Sequence, residues 1–299
     1  MSPQGSQPTA LQRFQYKYRP DPFANHRPFP PLQLTPLQTP KILRMTTVVV
    51  IPGAWLTPDF YQPFLTALTQ AGYRAHLAGY PSLNPSDPAT ADCQADSDAI
   101  QRELRTLVED DGQDVVLLMH SYAGMPGASA ARGLSKLERQ QQGLAGGILG
   151  LIFLAAFVVP EGHSCAGLQG GNLPPWILLD QPSAQLNIVD DPVGNFAPEV
   201  DPTLLGDLTT FLQPHSSLAF FSPQPAPAWA DVAYAGRLAF IVTTADKAVP
   251  KEAQHYMISS TGKTFIVKEM ECSHLAPFVD RIPETIGLVH ELLPAFPSS

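Results

Sequence analysis

The sequence is poor in cysteine, and its three cysteines do not form a recognisable framework. Cys93, Cys165 and Cys272 are odd in number and widely separated in a chain of 299 residues. None belongs to a C-x-x-C pair, so neither a set of disulfides nor a zinc site is indicated. The histidines also lack the spacing that zinc ligands share. We therefore expect no metal site, and free thiols favour a reducing compartment such as the cytoplasm.

Charged residues are scarce as well, at 15% of the chain, and acids outnumber bases. The formal net charge is −9 and the isoelectric point is near 5.3. Because an acidic surface repels phosphate groups, nucleic acid and anionic membranes are excluded as expected partners. The length allows one large α/β domain with an insertion. The sequence leaves the oligomeric state open, including a homodimer.

Long apolar runs are absent, with one exception between Gly143 and Val159. These seventeen residues carry no charge. They are either a transmembrane helix or a buried strand at about 148–155. The run is slightly short for a span and is rich in glycine and β-branched residues. We therefore predict a buried strand and no membrane segment.

Residues 1–44 lack any sustained apolar period and contain nine prolines. Six basic residues against one acid give this segment a charge of +5, which leaves −14 for the rest of the chain. It has no apolar core of the kind found in secretory signals, and its prolines oppose the amphipathic helix of a transit peptide. We expect a disordered tail that is not needed for folding.

From residue 45 onward, segments typical of strands alternate with segments typical of helices. This alternation predicts a parallel sheet, and functional groups in such sheets lie beyond the C-terminal ends of the strands. The predicted strands are 46–51, 73–77, 114–118, 148–155, 238–243 and 264–267. The predicted later helices are 91–109, 250–259 and 283–293.

The alternation stops between residues 160 and 235. Prolines, glycines and scattered apolar residues such as Trp176 fill this segment. Short helices with an apolar underside explain the pattern, either as a cap over the end of the sheet or as ordinary core-packing helices. We assign 45–159 and 236–299 to an α/β core and 160–235 to a cap inserted between them.

The sequence Met119-His120-Ser121-Tyr122-Ala123-Gly124 joins the predicted strand at 114–118 to a stretch of small residues. A serine in such a strand-to-helix turn is typical of a nucleophile elbow, where the turn exposes the serine oxygen. The usual pattern is G-x-S-x-G. Met119 replaces the first glycine and Ala123 the second, so an ordinary turn serine is the alternative.

A serine nucleophile needs a base and a group that orients the base. Asp246 follows the predicted strand 238–243, and His274 follows the next one. Each therefore lies just past a strand end, in the chain order Ser, Asp, His. This order and placement favour Ser121, Asp246 and His274 as a catalytic triad. We prefer Asp246 to three other acids: Asp190 and Asp191 lie in the predicted cap, and Asp280 lies on the approach to the last helix.

An oxyanion also needs hydrogen-bond donors. The backbone N–H of Tyr122 comes with the elbow. The second donor is expected in the turn after the first strand, where Gly53 permits close approach and Ala54 supplies the N–H.

Taken together, the first-strand turn, MHSYAG, TTADKAVP and ECSH resemble the α/β-hydrolase superfamily. They are most similar to the branch containing plant methyl esterases, hydroxynitrile lyases and fungal relatives, over about residues 45–294. The resemblance implies an α/β fold with a six-stranded, mostly parallel sheet, a helical cap, the triad and no cofactor. Relatives generally have His-Gly where this chain has Pro52-Gly53, which removes a side chain that commonly braces the turn.

The resemblance implies hydrolysis of an ester or lactone of an apolar small molecule, through an acyl-enzyme on Ser121. We expect Trp55, Trp176 and Leu275 to contact the substrate. A receptor-like binding protein with little turnover, or a lyase or cyclase on a polyketide-like substrate, are the alternatives. Cyanohydrin lyases typically have lysine where this chain has Leu275 and threonine where it has Ala54, so we predict no cyanide release.

Overall fold

The computed structural model describes residues 46–297. The predicted tail 1–44 lies outside the described residues and stays a prediction. Within the described range, the strands alternate with helices along most of the chain. The strands are β1 (Thr47–Ile51), β2 (Arg74–Leu77), β3 (Asp114–His120), β4 (Gly147–Leu154), β5 (Ile177–Leu179), β6 (Leu186–Val189), β7 (His215–Ser216), β8 (Leu238–Thr243) and β9 (Ile266–Met270).

The helices flank these strands. The α-helices within 46–297 are α1 (Gln62–Gln70), α2 (Cys93–Arg105), α3 (Gly124–Ala130), α4 (Lys136–Gln141), α5 (Cys165–Leu168), α6 (Pro192–Phe196), α7 (Pro202–Leu205), α8 (Ser217–Phe221), α9 (Lys251–Ser260) and α10 (Ile282–Leu292). A 3₁₀ turn, Pro58–Tyr61, leads into α1, and a wider turn, Thr106–Asp110, extends α2. The predicted helix 91–109 therefore corresponds to α2 and its extension.

Six strands form one sheet in the order β2-β1-β3-β4-β8-β9, and every neighbouring pair is parallel. The predicted α/β fold with a six-stranded sheet is confirmed. All residues of β1 and β8 are buried, as is β3 after its first residue. Burial on both faces explains why these strands are continuous apolar runs.

The observed strand boundaries differ from the predicted ones by at most three residues. The central strand β8 has the predicted bounds, whereas the edge strand β9 begins two residues later than predicted and continues to Met270. In β9, exposed Val267 and Glu269 alternate with half-buried residues. An edge strand with one face in solvent gives a weaker apolar signal, which explains the difference.

The uncharged run between residues 143 and 159 contains β4. Its bounds, 147–154, are one residue from the predicted strand at each end. No helix among residues 46–297 is long and apolar enough to cross a membrane.

The segment between β4 and β8 carries the short helices α5 to α8, and it also contains a sheet that the sequence did not predict. Strands β5, β6 and β7 pair antiparallel. These strands have two to four residues, too few for an alternating pattern to be recognised. The segment contacts the turn after β1 through a bridge between Leu56 and Leu212 and a 2.8 Å hydrogen bond from Gln213 N to Trp55 O.

Candidate active site

The chain turns sharply at Ser121, between the end of β3 and the start of α3. Ser121 has a φ of 56°, in the left-handed region that side chains other than glycine rarely adopt. Such strain is found at functional turns, where the surrounding structure holds it in place. Gly124 lets the turn approach the loop after β4 closely, because a Cβ there would lie 2.2 Å from Phe157 O. The N–H of Phe157 in turn donates to Ser121 O at 3.0 Å.

Met119 occupies the position where the elbow pattern has its first glycine, and the structure explains how it fits. A Cβ at Gly127, on α3, would lie 2.9 Å from Met119 Sδ and 2.7 Å from Ile51 Cδ1. In the usual pattern, a glycine on the strand leaves space for the helix. Here Gly127, on the helix, leaves space for the Met119 side chain. Buried Met119 fills that space without separating α3 from the sheet.

Ser121, His274 and Asp246 meet beyond the C-terminal ends of β3, β9 and β8. His274 Nε2 lies 2.9 Å from Ser121 Oγ, and Nδ1 lies 2.7 Å from Asp246 Oδ2. All three residues are buried, with Ser121 at 7% exposure. The residues that the sequence selected as a triad are thus brought into one hydrogen-bonded chain. In this chain, His274 can accept the serine proton while its other nitrogen donates to a carboxylate.

The loop after β8 holds Asp246 with further donors. Thr243 donates its hydroxyl to Oδ2 at 2.8 Å, and the N–H groups of Ala248 and Val249 both donate to Oδ1 at 2.8 Å. These three donors hold the carboxylate in the position from which Oδ2 contacts His274 Nδ1. Asp190, one of the acids that we did not prefer, is exposed and directly follows β6. It makes no contact with His274.

The turn after β1 is braced by two tyrosines. Gly53 N–H donates to Tyr61 Oη at 2.8 Å, and Tyr80 O–H approaches Gly53 O at 3.0 Å and Pro52 O at 3.1 Å. These contacts stand in for the histidine side chain that the turn lacks. Since Gly53 N–H is occupied, the N–H of Ala54, which has no acceptor among residues 46–297, is the one available to a ligand.

His120 connects this turn to His274, a contact that sequence reasoning missed. Its Nδ1 lies 2.8 Å from Tyr61 Oη, and its Nε2 lies 3.3 Å from His274 O. A carbonyl oxygen only accepts, so Nε2 carries the hydrogen and Nδ1 accepts from the tyrosine. Burial, together with the neighbouring His274, lowers the pKa of His120, which keeps the ring neutral. A glycine is required at 53 because a Cβ there would lie 2.7 Å from His120 Nδ1.

A small cavity lies over Ser121 and His274. Its walls come from the turn after β1, the segment between β4 and β8, and the loop after β8. The lining residues are Trp55, Ser121, Phe157, Cys165, Gln169, Pro174, Trp176, Ile177, Phe196, Phe220, Ala248, Val249 and His274. Apart from the histidine, no ionisable group other than the Cys165 thiol lines it, and burial raises the pKa of that thiol.

Aromatic rings dominate the cavity. The Trp55 ring stacks on Phe220 with centroids 5.3 Å apart and on Phe196 at 5.9 Å. Trp176 meets Trp55 edge-on at 6.0 Å. The predicted contacts Trp55 and Trp176 therefore lie in the cavity wall. The predicted contact Leu275 does not: it is fully buried, and its N–H donates to Phe196 O at 3.0 Å.

The other wall residues were not singled out from the sequence. Phe196 and Phe220 stand in short helices without a repeating apolar pattern. Phe157 follows β4 by three residues, and only its position after a buried strand could have pointed to it. A more open hollow beside Leu179 and Phe221 includes neither Ser121 nor His274. Within the described part of the chain, no cluster of three or more metal-ligating side chains occurs.

Comparison with known proteins agrees with this geometry. The sequence model of the Alpha/beta hydrolase family matches residues 48–285. Alpha/beta hydrolase nvfD of Aspergillus novofumigatus is 25% identical over 229 residues, which cover 76% of this chain and 88% of the relative. A solved pyrethroid hydrolase from Sphingobium faniae JZ-2 aligns with a TM-score of 0.61 at 19% identity, over 84% of this chain and 98% of that one.

A solved methylesterase from Arabidopsis aligns with a TM-score of 0.59 at 16% identity, over 84% of this chain and 99% of that one. At such identities the solved structures show a shared fold. The resemblance to plant methyl esterases and fungal relatives that the sequence motifs predicted is thereby confirmed.

Proposed function

The chain belongs to the alpha/beta hydrolase family, and on that premise we propose that it hydrolyses an ester or lactone of an apolar small molecule. The observation that carries the proposal is the position of His274, within hydrogen-bond distance of both Ser121 and Asp246, under an apolar cavity. A serine, its base and the orienting acid in one chain constitute an activated nucleophile.

In the proposed first step, Ser121 Oγ attacks the carbonyl carbon and its proton passes to His274 Nε2. The carbonyl oxygen becomes an anion, which the N–H groups of Ala54 and Tyr122 stabilise. Asp246 holds Nδ1–H, which fixes the tautomer and stabilises the positive imidazolium. Collapse of the tetrahedral intermediate breaks the bond between the carbonyl carbon and the oxygen of the leaving alcohol. His274 gives its proton to that departing oxygen.

In the second step, water attacks the acyl group on Ser121. His274 takes a proton from that water, and the same two N–H groups hold the new oxyanion. Collapse breaks the bond between the acyl carbon and Ser121 Oγ, His274 returns the proton to that oxygen, and the carboxylic acid is released. The chain of residues returns to its starting protonation. In a lactone, the alcohol and the acid belong to the same product molecule.

The cavity walls support the substrate class. An ester with a hydrophobic acyl or alcohol group would bury that group against Trp55, Phe196 and Phe220. A charged substrate would lose its hydration with no fixed opposite charge to replace it, which is costly. The same argument disfavours a cyanohydrin lyase, because neither lysine nor arginine lines the cavity to stabilise a departing cyanide. The three unpaired cysteines of the described residues support a cytoplasmic setting.

The test is a panel of aryl esters, methyl esters, lactones and cyanohydrins, assayed with the wild type and with Ser121→Ala. We expect saturable hydrolysis of at least one apolar ester or lactone, its loss in Ser121→Ala, and no cyanide release above the buffer rate. Ser259→Ala, which removes an exposed hydroxyl on α9, is the matched control and should keep full activity. Tight binding of panel compounds without turnover would favour a receptor.

A further inference from the structure

A buried carboxyl group that the proposed reaction does not use lies behind the nucleophile. Asp96, in the first turn of α2, is fully buried. It accepts hydrogen bonds from Ser82 N–H at 2.9 Å, Ser82 O–H at 2.5 Å and Tyr122 O–H at 2.7 Å. A carboxyl group in a dry interior costs free energy unless it is fully bonded. The three donors meet that requirement, and one of them belongs to the residue that follows Ser121.

Tyr122 has two functions that the Asp96 contact joins. Its backbone N–H is the proposed oxyanion donor of the elbow. Its fully buried ring packs edge-on against His215, with centroids 5.0 Å apart, and against Phe220 at 5.3 Å. The hydrogen bond to Asp96 fixes the far end of this ring. Since Ser121 is held at a strained φ, the position of the next peptide depends on such external contacts.

The same carboxyl group is connected to the segment between β4 and β8. Ser82 Oγ lies 3.0 Å from His215 Nε2, and Ser216 N–H donates to Ser82 O at 2.9 Å. His215 opens β7, and Phe220, a wall residue of the cavity, follows in α8. Asp96 thus stands between the elbow on one side and a cavity wall on the other.

This network has too few hydrogens for every one of its contacts to be a hydrogen bond, unless it takes up an additional proton. His215 Nδ1 lies 3.1 Å from Ser216 O, so it carries a hydrogen. Ser82 has one hydroxyl hydrogen for two neighbours, Asp96 Oδ2 and His215 Nε2. Burial raises the pKa of Asp96 to about 6 and lowers that of His215 to about 3, so below about pH 6 the additional proton resides on the carboxyl group and not on the imidazole. Once protonated, Asp96 donates to Ser82 Oγ, and Ser82 donates to His215 Nε2; in the ionised form, Ser82 donates to the carboxylate instead.

We propose that Asp96, with Ser82 and His215, is a positioning residue that fixes the Tyr122 peptide as an oxyanion donor and couples it to the cavity wall. The proposal rests on the proposed function. It assigns a purpose to the hydrogen bond from the Tyr122 hydroxyl to Asp96.

The test is the second-order rate constant for labelling of Ser121 by a fluorophosphonate, measured in the wild type and in Tyr122→Phe. The variant keeps the ring and the backbone N–H but loses the bond to Asp96. We expect labelling to slow by about 10- to 100-fold, less than complete loss of a donor causes. A trifluoromethyl ketone, which forms a tetrahedral adduct on Ser121, should bind more weakly by a similar factor.

Tyr234→Phe is the matched control. Tyr234 is also fully buried, and its hydroxyl donates to a backbone oxygen, Ala131 O at 2.7 Å, outside the network. Both variants should lose similar thermal stability, but only Tyr122→Phe should lose labelling rate. In Asp96→Asn, the amide can still bond to Tyr122 and Ser82, so labelling should lie between the wild type and Tyr122→Phe.

Equal labelling by Tyr122→Phe and the wild type would overturn the proposal, as would an equal slowing in Tyr234→Phe. A wild type that is not labelled at all would contradict the proposed function instead. The two failures are therefore distinguishable in one set of measurements.

Discussion

The large sheet and the segment between β4 and β8 contribute different parts of the candidate site. Ser121, Asp246 and His274 all follow strands of the sheet, so backbone pairing fixes where their reacting atoms lie. Trp176 and Phe196 come from the intervening segment, and their rings contribute cavity surface. The comparison implies that the chemistry should be sensitive to small changes in the core, whereas substitutions in the wall should mainly change which substrates are accepted.

The largest effect should follow from Asp246→Asn. The amide can no longer stabilise imidazolium and favours the wrong tautomer of His274, so kcat should fall by about 10⁴-fold with the fold unchanged. Steady-state kinetics and circular dichroism check this. Asp190→Asn, at an exposed carboxylate, should keep full activity. A normal rate for Asp246→Asn beside an inactive Asp190→Asn would contradict the assignment.

The next effect tests how tightly the core is packed at the elbow. Gly124→Ala would place a Cβ 2.2 Å from Phe157 O, against backbone that must shift. We expect a loss of about 2–3 kcal/mol in the free energy of unfolding, measured by urea denaturation. Gly287→Ala, on the exposed side of α10 with no atom within 4 Å of the new Cβ, should instead gain about 1 kcal/mol. Equal effects of the two variants would contradict the close approach.

The next effect is the pH dependence of the free energy of unfolding, which tests Asp96, the buried carboxyl group between the elbow and the intervening segment. Burial raises the pKa of Asp96 from 3.8 to about 6, although hydrogen bonds from Ser82 and Tyr122 oppose the rise. Folded Asp96 therefore binds its proton more tightly than the unfolded chain does. The resulting stabilisation is full below about pH 4 and is lost as the pH rises through about 6, by up to about 3 kcal/mol.

Asp96→Asn removes this titration. The free energy of unfolding of the wild type, relative to the variant, should fall between about pH 4 and pH 8. Other groups titrate alike in both proteins, so the difference isolates Asp96. A difference that does not change with pH, or that grows as the pH rises, would contradict a raised pKa of Asp96 in the folded protein.

The smallest effect should come from the wall. Trp176→Ala removes a ring that contacts Trp55 and Phe196, so kcat/KM for bulky esters should fall by about 10-fold. Most of the change should appear in KM, because the triad is untouched. Val232→Ala, at a residue of the same segment that is 86% exposed, is the control. A fall in kcat comparable with that of Asp246→Asn would remove the distinction between core and wall.

Most of the core could be predicted from the sequence because burial leaves a strong pattern. Strands β1, β3 and β8 are continuous apolar runs, and the position after each run identified a site residue or turn. Met119 weakened the elbow pattern only because its compensating partner, Gly127, lies on another element. A single motif does not contain such pairings.

The cavity wall could not be predicted for the opposite reason. Phe196 and Phe220 stand in helices of five residues, where no apolar period can develop. Leu275 follows His274 directly, yet the chain directs it into the interior. The role of His120 also depends on a contact with Tyr61, 59 positions earlier in the chain. These features arise from packing between distant segments, which local sequence does not encode.

The central claim is that Ser121 forms a covalent acyl intermediate, and quenched-flow mass spectrometry tests it most directly. With an activated aryl ester in excess, we expect a burst of about one phenolate per enzyme and an acyl adduct on the peptide that contains Ser121. Hydrolysis that continues in Ser121→Ala, with neither burst nor adduct in the wild type, would contradict the account.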